Sequence, residues 1–237
     1  MQITKPNKLP LLLICLLAAT TSHLALNAYP AAWQNTPQKE SKWLVAGGAI
    51  GGQAKPDGRA SVNLCGITAA AGWRFTPRQE LRLETGGWFA SQSETYTLSI
   101  DTQPDTPIGA THQTIDYLMI PALLSYNHGI PLGKNSGWTL QAAAIAGILQ
   151  IHTRYDARTS PGESHAGEPG LNFREKFSGT DTAPALGASL GIVRKLSGQL
   201  DINLSLRVLR IGETRFNWGG LDKFTTCIAS VTAGWRL

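Results

Sequence analysis

The stretch FTTCIASVTAGWRL, residues 224–237, decides the fold. One parity reads Thr225, Cys227, Ala229, Val231, Ala233, Trp235, Leu237, and the other reads Phe224, Thr226, Ile228, Ser230, Thr232, Gly234, Arg236. An apolar row ending in Trp and Leu alternates with a row rich in hydroxyls, Gly and Arg. A period of two is the mark of a strand with one oily and one polar face. Such a strand at the end of the chain suggests a sheet that closes on its last strand.

Seven more segments of the same kind precede it, at 43–53, 62–75, 79 to about 92, 112–126, 137–151, 182–193 and 199–211. The cleanest is 199–211, where Leu200, Ile202, Leu204, Leu206 and Val208 alternate with Gln199, Asp201, Asn203, Ser205 and Arg207. A 3.6-residue period would scatter both sets around a helix axis. In 62–75, Cys65, Ile67, Ala69, Ala71, Trp73 and Phe75 oppose Gly66, Thr68, Ala70, Gly72 and Arg74. In 79–92, Leu81, Leu83 and Phe89 oppose Glu80, Arg82 and Glu84.

The connections alternate too. Those after the second, fourth and sixth strands are short (TPR, GIPLGKNS, RKLSG), whereas 93–111 and 152–181 are long. Eight strands with short turns on one side and long loops on the other fit an antiparallel up-and-down transmembrane β-barrel of the bacterial outer membrane. The main rival is a soluble lipocalin-like barrel, with the opposite facing. Against it stand a polar parity rich in Gly, Ala, Ser and Thr, a signal-like amino end, and Trp73, Tyr126, Trp138 and Trp235 near strand ends, where interface aromatics lie.

The bounds agree. The 237 residues suffice for one large domain, with 25 glycines and 16% charged residues. No run of about 20 apolar residues provides a spanning helix. Residues 1–28, with Lys5 and Lys8 before the apolar run LPLLLICLLAA, read as a secretory signal peptide, 29–41 as an extended periplasmic leader, and 42–237 as the barrel domain. Removing the signal subtracts two lysines from a formal charge of +5, so the basic balance does not point to nucleic acid. Cys65 and Cys227 then remain, both on the apolar parity; two lipid-facing thiols are favoured over a disulfide.

DYLMIPALLSYN at 116–127, AGWRFTPRQELRLETG at 71–86 and the closing AGWRL resemble strands of bacterial outer-membrane β-barrel proteins of the OmpX/OmpA-like and PorT-like porin families. The resemblance spreads over about 195 residues (42–237) through short, degenerate motifs; Leu237 stands where the family usually ends in Phe or Trp, and Ser125 where Lys is common. It implies a multi-pass protein of the Gram-negative outer membrane. It also implies that Trp235 and Leu237 belong to a terminal signal read by the barrel-assembly machinery.

Chemistry is sparse. Arg74, Glu80, Arg82, Glu84, Asp201, Arg207 and Arg236 fall on the lumen parity, and charges inside a narrow barrel must pair or meet trapped water. The expectation is an ion-pair network that plugs the lumen, with Glu84 and Arg207 at its centre; the rival is a small channel lined by the same charges. An enzyme acting on lipid A would need a His-acid or Ser-His-acid set. His112, His128, His152 and His165 are scattered over strand ends, a turn and a loop, and His23 lies in the signal. No metal cluster, phosphate loop or nucleophile elbow appears, so neither enzyme activity nor a cofactor is expected. The second long connection carries Arg154, Tyr155, Asp156, Arg158, Phe173, Arg174 and Phe177, whose basic members suit lipopolysaccharide phosphates or an extracellular ligand. The role expected is structural or surface interaction, with membrane lipid as the surrounding partner.

Overall fold

The computed structural model describes residues 42–56, 61–100, 103–133, 137–161, 173–213 and 223–237. The expected signal peptide, the leader and His165 lie outside them. Eight strands follow one another: β1 (Trp43–Pro56), β2 (Val62–Thr76), β3 (Gln79–Ile100), β4 (Gln103–Pro131), β5 (Trp138–Pro161), β6 (Phe173–Lys195), β7 (Leu200–Ile211) and β8 (Phe224–Arg236). Each pairs antiparallel with its neighbours, and β1 pairs with β8, which closes the barrel. The closing register sets Val45 opposite Trp235 and Gly51 opposite Ala229. The all-β, eight-stranded expectation holds, and β8 is the strand that closes the sheet.

Narrow closure bends the backbone sharply, and inward-facing glycine permits it. A Cβ on Gly48 would lie 2.0 Å from the Val231 carbonyl oxygen, and one on Gly187 equally close to that of Val208. The short-turn end uses local chemistry: the Arg78 amide donates to Thr76 Oγ1 at 3.3 Å, and Gly133 and Gly137 take positive φ beside β5.

The segments expected as long connections differ. β3 runs on to Ile100 and β4 begins at Gln103, so most of 93–111 is strand. β5 reaches Pro161 and β6 starts at Phe173, so 152–181 is largely a hairpin. The lengths show the asymmetry: β1, β2, β7 and β8 have 14, 15, 12 and 13 residues, while β3 to β6 have 22, 29, 24 and 23. The extra ten or so residues per strand, at ~3.3 Å rise and ~40° tilt, raise half of the cylinder roughly 25 Å above the other half.

Candidate functional site

The outward face has a sharp boundary. On each strand the first polar outward residue above the apolar run sits opposite a polar neighbour: Gln53 with Asn63, Ser91 with Asp116, Gln150 with Thr182, Arg210 with Thr225. Two of these pairs are hydrogen-bonded, Ser91 Oγ donating to Asp116 Oδ1 at 2.7 Å and Arg210 Nη1 to Thr225 Oγ1 at 3.1 Å. Below this ring the wall is apolar and open: Ile67, Leu83, Leu186 and Leu206 are 59–67% exposed. Five or six outward residues per strand make a band about 25 Å tall.

At the short-turn end lie the expected aromatics Trp73, Tyr126, Trp138 and Trp235, all outward and exposed. Trp43, opposite Trp73, and Phe75, 5.8 Å from the Trp73 ring and 6.1 Å from that of Tyr126, extend the group. Arg194 stacks over Trp138 at 4.8 Å. The Leu237 side chain is exposed, while its amide donates to the Trp43 carbonyl at 3.2 Å.

Inside, the seven lumen charges form three groups. Arg207 donates Nη1 to Glu84 Oε1 at 2.6 Å and Nη2 to Oε2 at 2.7 Å, a two-pronged contact with both residues buried. Arg82 donates Nε and Nη2 to Glu80 Oε1 at 2.9 and 2.7 Å, and Arg74 Nη2 lies 3.9 Å from Glu80 Oε2. Arg236 binds Asp201 Oδ2 through Nε at 2.9 Å and through Nη2. A cavity of about 440 Å³ beside Arg82, Asp201, Asn203 and Arg236 reaches the short turns.

The expectation of a lumen filled by polar and charged groups describes only this lower part. Around the polar ring the interior is apolar: Trp88, Met119, Leu149, Leu209, Ile211, Phe224 and Ile228 are fully buried in one cluster. The facing inverts at the ring. On β7, Arg207 points in between outward Leu206 and Val208, whereas Arg210 points out between buried Leu209 and Ile211. Above the band on this strand the outward residue is polar and the inward ones apolar, which is the ordinary core rule.

The raised half of the barrel bears the residues expected on a loop. On its inner side Tyr155 stacks on Phe177 at 4.7 Å and donates its hydroxyl to Gln113 Oε1 at 3.3 Å. Desolvation, then Glu175, raises the Tyr155 pKa. On its outer side Asp156 accepts from Arg174 Nε at 2.9 Å and Nη2 at 2.6 Å, with Lys176 Nζ at 3.3 Å. The Arg174 hydrogen bonds lead the effects that lower the Asp156 pKa to about 2. Arg154 and Arg158 project from β5 on the same side, where they face Ser178 and Arg174 of β6.

The histidines stay dispersed. His112 Nδ1 meets Thr95 Oγ1 at 3.0 Å and its Nε2 lies 3.5 Å from Ser93 Oγ, while His152 Nδ1 meets Thr180 Oγ1 at 2.7 Å. His128 lies within β4, opposite Gln79 and Ala142. No group of three His, Cys, Asp or Glu side chains suited to a metal ion occurs among the described residues. Cys65 and Cys227 are free and exposed, on the two strands that flank β1. Two strand spacings of ~4.8 Å separate them, beyond the ~7 Å Cα reach of a disulfide.

No family model matches the chain, and no curated protein does. Among solved structures it is similar to Neisserial surface protein A, at 11% identity over 83% of this chain and 98% of that one, with a TM-score of 0.49. It is also similar to Ail, the attachment invasion locus protein of Yersinia pestis (14%, 84% and 99%, TM-score 0.41). The outer membrane protein OprG from Pseudomonas aeruginosa follows at 13%, 84% and 97%, with a TM-score of 0.36. At such identities residue roles do not transfer.

Proposed function

We propose that this chain is an integral outer-membrane β-barrel of a Gram-negative bacterium, closed along its lumen, with a structural and surface-interaction role. One observation carries the reading: the exposed apolar band, bounded by the polar ring above and by aromatics below. A soluble monomer rarely tolerates a continuous apolar patch beyond a few hundred Å², and here the patch encircles the molecule. Facing hydrocarbon, the band needs no other partner, and within it the closed barrel leaves no backbone edge unpaired.

The rest follows from that setting. Residues 1–28 direct secretion, 29–41 form a periplasmic leader, and the short-turn end faces the periplasm. Trp235 and Leu237 serve the assembly machinery, and Trp73, Tyr126, Trp138 and Trp235 anchor the inner-side interface. Arg74, Glu80, Arg82, Glu84, Asp201, Arg207 and Arg236 act with the apolar layer as a plug instead of a conducting path. Outer-leaflet lipid, lipopolysaccharide included, surrounds the band, and the raised half of the barrel is the part offered to extracellular ligands. No catalytic step is assigned.

Membrane fractionation combined with gel migration before and after boiling tests the reading. The expected result is outer-membrane recovery and a boiling-dependent shift. A chain that is soluble after secretion and migrates identically in both states overturns it.

A further inference from the structure

At the level where the outer wall turns from apolar to polar, β3, β4, β5 and β6 leave a recess of about 380 Å³. Phe89 and Leu118 line it from the apolar side, and His152, Arg154, Ser178 and Thr180 from the polar side. The cross-strand register places Asp116, Arg154 and Ser178 side by side on β4, β5 and β6. Asp116 is nevertheless held by Ser91, and His152 by Thr180. The Arg154 guanidinium makes no hydrogen bond or ion pair among the described residues. Higher up, Arg174 and Lys176 are both engaged by Asp156. The recess thus combines one uncommitted guanidinium, flanking hydroxyls and an apolar base at the lipid–water boundary.

We propose that this recess is a binding site for the phosphorylated sugar headgroup of an outer-leaflet glycolipid. Arg154 donates two parallel hydrogen bonds to the phosphate, as a planar fork suits. Ser178 and Thr180 meet sugar hydroxyls, and an acyl chain descends over Leu118 and Phe89. The hydroxyl-rich surround favours a sugar phosphate over a glycerophospholipid. The inference rests on the membrane reading and names one partner of its outer rim.

The test uses the full mature chain refolded in detergent, each variant first checked for the boiling-dependent gel shift. Native mass spectrometry then compares retention of bisphosphorylated lipid A, its dephosphorylated form and phosphatidylglycerol. The wild-type chain is expected to hold one lipid A about tenfold more tightly than either competitor. Arg154→Ala removes most of that preference, Ser178→Ala removes part of it, and Arg158→Ala leaves it within about twofold. Equal retention by wild type and Arg154→Ala, or of phosphorylated and dephosphorylated lipid A, overturns the site while the gel shift upholds the barrel. Phosphatidylglycerol held as tightly as lipid A overturns the glycolipid assignment. A chain without the shift overturns the membrane reading and the site together.

Discussion

At the scale of single residues, the Glu84–Arg207 pair shows how a narrow barrel carries charge. Both residues are buried and meet through two hydrogen bonds from opposite sides of the lumen, which leave the buried Arg207 Nε without a partner. Such a pair contributes little net stability over apolar side chains of similar size, yet losing one partner strands the other charge. Glu84→Ala is therefore expected to cost about 3–5 kcal/mol in urea unfolding from lipid vesicles. The double variant Glu84→Leu with Arg207→Met should recover most of that loss. A single variant as stable as wild type would show that water already screens Arg207. This pairing was legible because parity alone put both residues in the lumen. The partners of Glu80 and Asp201 were less so, since shear decides which rungs meet and no local pattern encodes it.

At the scale of elements, the strand count and turn order were legible, whereas the lengths of β3 to β6 were not. In SQSETYTLSI of β3, Ser and Thr hold one parity while the other begins with Gln92 and Glu94, so both faces are polar at its start and the apolar–polar contrast fades while the ladder continues. The apolar layer was missed for a related reason. Leu209, Arg210 and Ile211 reverse the facing of Leu206, Arg207 and Val208, and that inversion marks the upper limit of the apolar band. What ties the raised strands together is cross-strand polar pairing, with Arg174 and Lys176 on Asp156. Because the folded-state pKa of Asp156 lies below its ordinary 3.8, the tie is fully present above that value and is lost as pH falls through about 2. An NMR titration of the Asp156 carboxyl should give a midpoint near 2, and Arg174→Gln should move it up toward 3.8. A midpoint already near 3.8 in the wild-type chain would show that the pair does not persist in solution.

At the scale of the whole molecule, the proposed function divides two tasks between the inside and the outside of the cylinder: the buried layers hold it together, and the outer surface would deal with lipid and machinery. In the proposed reading Trp235 and Leu237 belong to the second task. Their side chains are exposed on the outer wall, while this end of β8 is fastened by main-chain hydrogen bonds, Leu237 to Trp43 and Arg236 to Gln199, and by the Arg236 side chain on Asp201. Truncating the two side chains should leave those bonds and the lumen pairs untouched. In detergent, where apolar tails coat the band without guidance, Trp235→Ala with Leu237→Ala is expected to fold with a yield close to wild type. In cells, where the barrel must be recognised before it inserts, the same variant should accumulate unfolded in the periplasm. Comparing the boiling-dependent shift of refolded protein with that of cell envelopes separates the two cases. Equal losses in both would move Trp235 and Leu237 from recognition to packing, and the short-turn end of β8 would then count as part of the scaffold.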